Sequence, residues 1–138
     1  MFLKQEVAMF DLQKILEITK ISKAEKWPFP KTLNALKEAG VENYIVEPAS
    51  GSITYYGYGK QHTDSEEESL KNLLPSGHFD VKALKEAIQA HQSKRTPYSE
   101  FMREIMKAGV VRYRVDVVNR TCTYLGNRSG EEYAESFN

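Results

Sequence analysis

A chain of 138 residues suits one domain and is long enough to bury a core without disulfides or metals. It is 41% apolar and 28% charged, and its 19 basic and 19 acidic residues cancel, so nothing supplies the basic surplus that general nucleic-acid binding requires. The lone cysteine, Cys122, excludes an intramolecular disulfide, no apolar run reaches the roughly 18–20 residues of a membrane helix, and residues 1–8 lack the apolar core of a signal peptide. A cytoplasmic protein that keeps away from membranes is expected.

The first readable element is a helix opening at Asp11, an N-cap residue, with Leu12, Ile15, Leu16, Thr19 and Ile21 following at roughly helical spacing. Trp27-Pro28-Phe29-Pro30 breaks it, because proline lacks the backbone N–H and disfavours helical geometry before it. Leu33, Leu36 and Ala39 mark a second helix, stopped at Gly40. Tyr44 and Val46 then alternate as on a strand, Ser50-Gly51 reads as a hairpin turn, and residues 52–56 return. Gly57-Tyr58-Gly59-Lys60 lacks the context of a phosphate loop and reads as a strand end. The stretch from Thr63 to Ser69 is acidic and reads either as a solvated linker or, since Ser65 with Glu68 has the spacing of a capping box, as the start of a short connecting helix.

The same order then recurs 69 residues later. Phe10-Asp11 falls on Phe79-Asp80, Pro28 on Pro97, Ala39-Gly40-Val41 on Ala108-Gly109-Val110, Tyr44 on Tyr113 and Thr54-Tyr55 on Thr123-Tyr124. Without a gap, 12 of the 48 pairs between 10–57 and 79–126 are identical. Two unrelated helix-to-strand transitions would not keep glycines, tyrosines and turns in step, so the pattern reads as an internal duplication. The expected fold is α+β: a helix-helix-strand-strand unit used twice, forming an antiparallel sheet with helices packed on one face. Residues 1–138 make one domain, with repeat A at about 10–57, a connector at 58–78, repeat B at about 79–126 and a polar tail at 127–138.

The second copy reads His91-Gln92, Pro97-Tyr98, Phe101, Ala108-Gly109-Val110, Tyr113, Val115-Asp116 and Thr121-Cys122-Thr123-Tyr124. This run resembles an uncharacterised bacterial family labelled "phage envelope protein", or YdfO-like. The resemblance covers roughly residues 9–126. Ser93-Lys94-Arg95 departs from the family's Gly-Lys, and Tyr113 replaces a frequent tryptophan. The resemblance implies the fold above and a link to prophages and bacterial genomes, and it implies no activity. The family's usual start matches Met9-Phe10-Asp11-Leu12, which makes residues 1–8 an extension with little part in the core.

Candidate chemistry concentrates in the second copy. His91 titrates near neutrality and can serve as a general base or ligand contact, against the plainer role of closing a helix C-terminus. Cys122 needs a cationic neighbour to become a nucleophile, whereas its counterpart Ile53 points to a small core residue. Asp116 and its counterpart Glu47 can do acid–base work only if brought together. The histidines His62, His78 and His91 lack metal-ligand spacing, so no metal and no cofactor is expected.

Four tyrosines, Tyr44, Tyr55, Tyr113 and Tyr124, are repeat-equivalent and either build a tyrosine-rich core or line a groove between the copies. The favoured function is a non-enzymatic binding or protein-interaction module that uses His91, Tyr55, Tyr113, Cys122, Tyr124 and Asp116 toward an unknown small molecule or protein. Self-association into a homo-oligomer is compatible with this. The alternative is a small enzyme with His91, Cys122 and Asp116 gathered in a cleft between the repeats.

Overall fold

The fold is described by a computed structural model over residues 9–65, 73–94 and 96–137. Helix α1 (Leu12–Glu25) starts where the Asp11 carboxylate accepts the backbone N–H of Lys14 at 3.1 Å. Helix α2 (Phe29–Glu38) follows the proline break. At its end Gly40 takes φ +98°, its N–H bonds the Lys37 carbonyl, and the Val41 N–H reaches back to Leu36 at 3.0 Å. These two bonds are a Schellman closure, and only glycine enters it cheaply. A Cβ on Gly40 would also collide with the Met9 carbonyl oxygen.

Strands β1 (Asn43–Glu47), β2 (Ser52–Gly57) and β3 (Lys60–Ser65) complete the first half. The second half repeats the order with α3 (Val81–Lys94), α4 (Tyr98–Lys107), β4 (Arg112–Asp116), β5 (Thr121–Leu125) and β6 (Glu132–Ser136). Asp80 caps α3 through the Ala83 N–H at 3.0 Å, and Gly109 closes α4 at φ +94° with the same pair of bonds, to Met106 and Ile105.

The six strands form one sheet in the order β3-β2-β1-β4-β5-β6, every pair antiparallel. Its register follows the 69-residue offset. Tyr44 faces Tyr55 as Tyr113 faces Tyr124, and Val46 faces Ile53 as Val115 faces Cys122. At the centre Ile45 pairs with Arg114, a residue opposite its own counterpart. An approximate two-fold therefore passes between those two residues.

Alternation along the strands sends Val46, Ile53, Tyr55, Val115, Cys122 and Tyr124 to one buried face, where they share a core with Ile15, Leu33, Leu84 and Ile105 from the helices. Removing a side chain such as Leu33 or Leu84 fully from water contributes about 1.5–3 kcal/mol. The other face, with Ile45, Thr54, Arg114 and Thr123, is open to solvent. An antiparallel sheet tolerates that because polar side chains alternate with apolar ones.

Two strands lie where the sequence reads as connector and tail. Tyr58 (φ +50°) and Gly59 (φ +77°) make a two-residue turn into β3, and the Glu42 carboxylate accepts the Tyr58 N–H at 3.0 Å. A tyrosine in the first left-handed position is no turn signal, which hides this hairpin in the sequence. Strand β6 pairs with β5 from Thr121↔Ser136 to Leu125↔Glu132 and converts the expected polar tail into a sheet edge. Ser65, the candidate helix cap, ends β3 instead, while Glu68 and the rest of that capping box lie outside the described residues. Residues 1–8 lie outside them as well.

Candidate functional site

Of the two readings of the repeat-equivalent tyrosines, the core one describes Tyr55, Tyr113 and Tyr124, with Tyr44 half-buried beside them. Tyr55, Tyr113 and Tyr124 are 4%, 7% and 6% exposed, which leaves a ligand no surface on them. Their rings pair across strands, with centroids of Tyr44 and Tyr55 at 5.6 Å and of Tyr113 and Tyr124 at 5.3 Å. Tyr98, on α4, brings its hydroxyl to 3.5 Å from that of Tyr113. Burial, helped by the neighbouring tyrosines, pushes the Tyr113 hydroxyl well above its usual range. Helix α4 thus covers the Tyr113 end of this face.

Cys122 sits on the same covered face. Burial pushes its thiol up to about 12, opposed by a hydrogen bond with Tyr124 and reinforced by the Glu135 carboxylate. Such a thiol is held protonated and is a poor nucleophile at neutral pH.

Asp116 points to the open face, since its neighbour Val115 shares the covered face with Cys122. Burial raises its carboxyl, but the Asn119 backbone N–H at 2.9 Å and side-chain amide at 3.0 Å outweigh that and hold it below the usual carboxylate range. Asp116 therefore fastens the β4–β5 turn. Glu47 ends β1 beside Ser52, whereas Asp116 ends β4 opposite Asn43. The antiparallel centre thus puts the two carboxylates at opposite ends of the sheet, and no acid–base pair forms.

His91 lies in the last turn of α3. Its ring stacks on Phe101 at 4.3 Å and 12°, and its Nδ1 is 3.0 Å from the Thr96 hydroxyl. Burial lowers its pKa, and a hydrogen bond with the Thr96 backbone offsets part of that. It joins α3 to α4 rather than facing Cys122 or Asp116. The three residues that an active site would need lie in three different environments.

A surface that sequence reasoning passed over stands at the α1–α2 corner. Phe29, 46% exposed, meets Phe137 edge-on at 5.1 Å. Arg120 lies 5.4 Å from the Phe137 ring centroid and donates to the Asn34 amide oxygen at 3.3 Å. Lys31 Nζ stands 4.3 Å over the Trp27 ring, whose Nε1 donates to Glu25 at 2.8 Å. The Trp27-Pro28-Phe29-Pro30 run is visible in the sequence as a helix break, but its meeting with residues 120 and 137 is purely tertiary.

A second feature is a notch of about 240 Å³ between the start of β4 and the β5–β6 loop, lined by Arg112, Asn127, Arg128 and Glu131 among others. Glu131 already accepts the Arg128 N–H at 3.0 Å and lies 3.8 Å from its guanidinium. Two of its polar lining residues are thus already paired with each other. Among the described residues no group of His, Cys, Asp and Glu could hold a metal ion, and no helix is long and apolar enough to cross a membrane.

The sequence pattern of the family described as "Protein of unknown function (DUF1398)" matches residues 17–136. The chain belongs to the DUF1398 family. The match runs from α1 to the last residue of β6, so it includes both strands that read as connector and tail. Uncharacterised proteins of Mycobacterium bovis and of two Mycobacterium tuberculosis strains are 37% identical to this DUF1398 chain over 99 residues, or 71% of the chain. The chain spans about 60% of the length of these curated relatives.

Proposed function

We propose that this DUF1398 chain is a non-enzymatic protein-interaction module. The observation that carries the reading is the divergence of its chemistry-bearing residues: Cys122 faces the core, Asp116 faces away from it, and His91 is stacked on Phe101. Catalysis by acid, base and nucleophile requires them within hydrogen-bond reach of one reacting centre. A surface with the chemistry to hold a partner is the aromatic and cationic corner around Phe29. The prophage link rests on the family resemblance of the His91–Tyr124 run, and the mycobacterial relatives agree with a bacterial setting.

Native protein treated with iodoacetamide at mildly alkaline pH tests the reading, because Cys122 is the sequence's only thiol nucleophile. Alkylation should be negligible until denaturant is added. Rapid alkylation of the folded protein, slowed by His91→Gln, would restore the enzyme reading.

A further inference from the structure

The corner around Phe29 is built at a conformational cost. Three non-glycine residues among those described have positive φ, and two of them, Lys26 (φ +53°) and Arg120 (φ +58°), flank this surface. A residue with a Cβ in that conformation costs about 1–2 kcal/mol. The counterpart of Arg120 in the first half is Gly51, at φ +72°, where glycine removes the cost. Cations thus stand in positions that glycine would fill more cheaply. Non-glycine residues held in this conformation cluster at functional sites.

The corner joins the two halves, and its first-half side is not repeated in the second. The counterparts of Trp27, Phe29 and Lys31 are Thr96, Tyr98 and Glu100. The repeated scaffold does not require the tryptophan or the cation.

Resting on the interaction-module reading, we propose that the face formed by Trp27, Phe29, Lys31, Arg120 and Phe137 docks an extended acidic segment of a partner protein that carries an aromatic side chain. Charge complementarity chooses the acid. The face carries Lys26, Lys31 and Arg120, and its carboxylate Glu25 is already engaged with the Trp27 N–H. A positive surface on a chain with zero formal net charge selects a negative partner and steers its approach. The exposed ring of Phe29 and the half-buried rings beside it choose the aromatic anchor, since aromatic and arginine side chains supply the strongest interface contacts.

Trp27 is the only tryptophan, so its emission, excited at the red edge where tyrosine does not absorb, reports from this face alone. The full chain is titrated with a random glutamate–tyrosine copolymer, with polyglutamate, and with phosphatidylserine vesicles. A saturable change with the copolymer, weaker with polyglutamate and diminished by salt, is expected. The pair Arg120→Gly and Lys31→Gln should weaken copolymer binding about tenfold, the equivalent of about 1.4 kcal/mol. Glycine accepts the φ of Arg120, and Lys31→Gln alone, on an exposed side chain, gives the same sign if the pair lowers stability.

A silent Trp27 overturns the proposal. So does copolymer binding that the variants leave unchanged, which would place the acidic partner elsewhere on a module that still binds. A response to vesicles and none to the copolymer overturns it in favour of an anionic membrane surface.

Discussion

His91 shows how position within the fold reassigns a residue with chemical promise. Stacking on Phe101 and the bond to Thr96 use both its ring face and one nitrogen to fasten α3 to α4. Because burial holds its pKa below the usual histidine range, the folded state binds its proton less readily than the unfolded chain does. Stability contributed by neutral His91 is therefore present above the unfolded pKa and declines as pH falls through and below it. Chemical denaturation between pH 7 and pH 5 should show stability falling with acidification, and His91→Gln should flatten that fall. An equal slope in the variant would mean that other groups carry it. His91 was legible in the sequence as a helix-end residue, but its ring partner was not, since Phe101 belongs to another helix.

At the scale of elements, local chemistry was readable wherever one residue type has one job. Asp11 and Asp80 cap helices, and Gly40 and Gly109 close them. Gly109 combines left-handed φ with backbone close by, as a Cβ there would collide with the His78 carbonyl oxygen. Gly109→Ala should cost about 2–4 kcal/mol, adding conformational strain to overpacking. Gly59→Ala, with φ +77° but nothing near its would-be Cβ, should cost about 1–2 kcal/mol. Urea denaturation of the two variants checks the ordering. The elements that escaped sequence reading are β3 and β6. Their residues Lys60–Ser65 and Glu132–Ser136 are edge strands, polar on the face they leave exposed. Edge strands carry polar and charged side chains that discourage pairing with other chains, and this erases the apolar alternation by which strands are recognised.

The whole molecule is held together by β1 and β4, which pair with each other and each with a second strand. Their amides sit between paired neighbours and beneath helices, whereas β3 and β6 each have one unpaired side. Native-state hydrogen exchange should therefore be slowest at β1 and β4 and fastest at the outer strands. Slow exchange confined to one half would show that the halves open separately. The central pairing also explains why no site forms from the repeat-equivalent acids Glu47 and Asp116. A two-fold through Ile45 and Arg114 sends them to opposite ends of the sheet.

The sequence by itself determined the repeated residue order, the helix ends and the equivalent positions of the four tyrosines, because each depends on spacing of a few residues or on the 69-residue offset. Tertiary structure decided what those tyrosines do. With helices laid over one sheet face, aromatic rings at strand centres become core, and Cys122 is buried among them. It also decided where surface chemistry gathers, by bringing Phe137 onto Phe29 and Arg120 onto Asn34, separated by 108 and 86 residues in the chain. Contacts at such separations depend on which strand lies beside which, and no local periodicity encodes that.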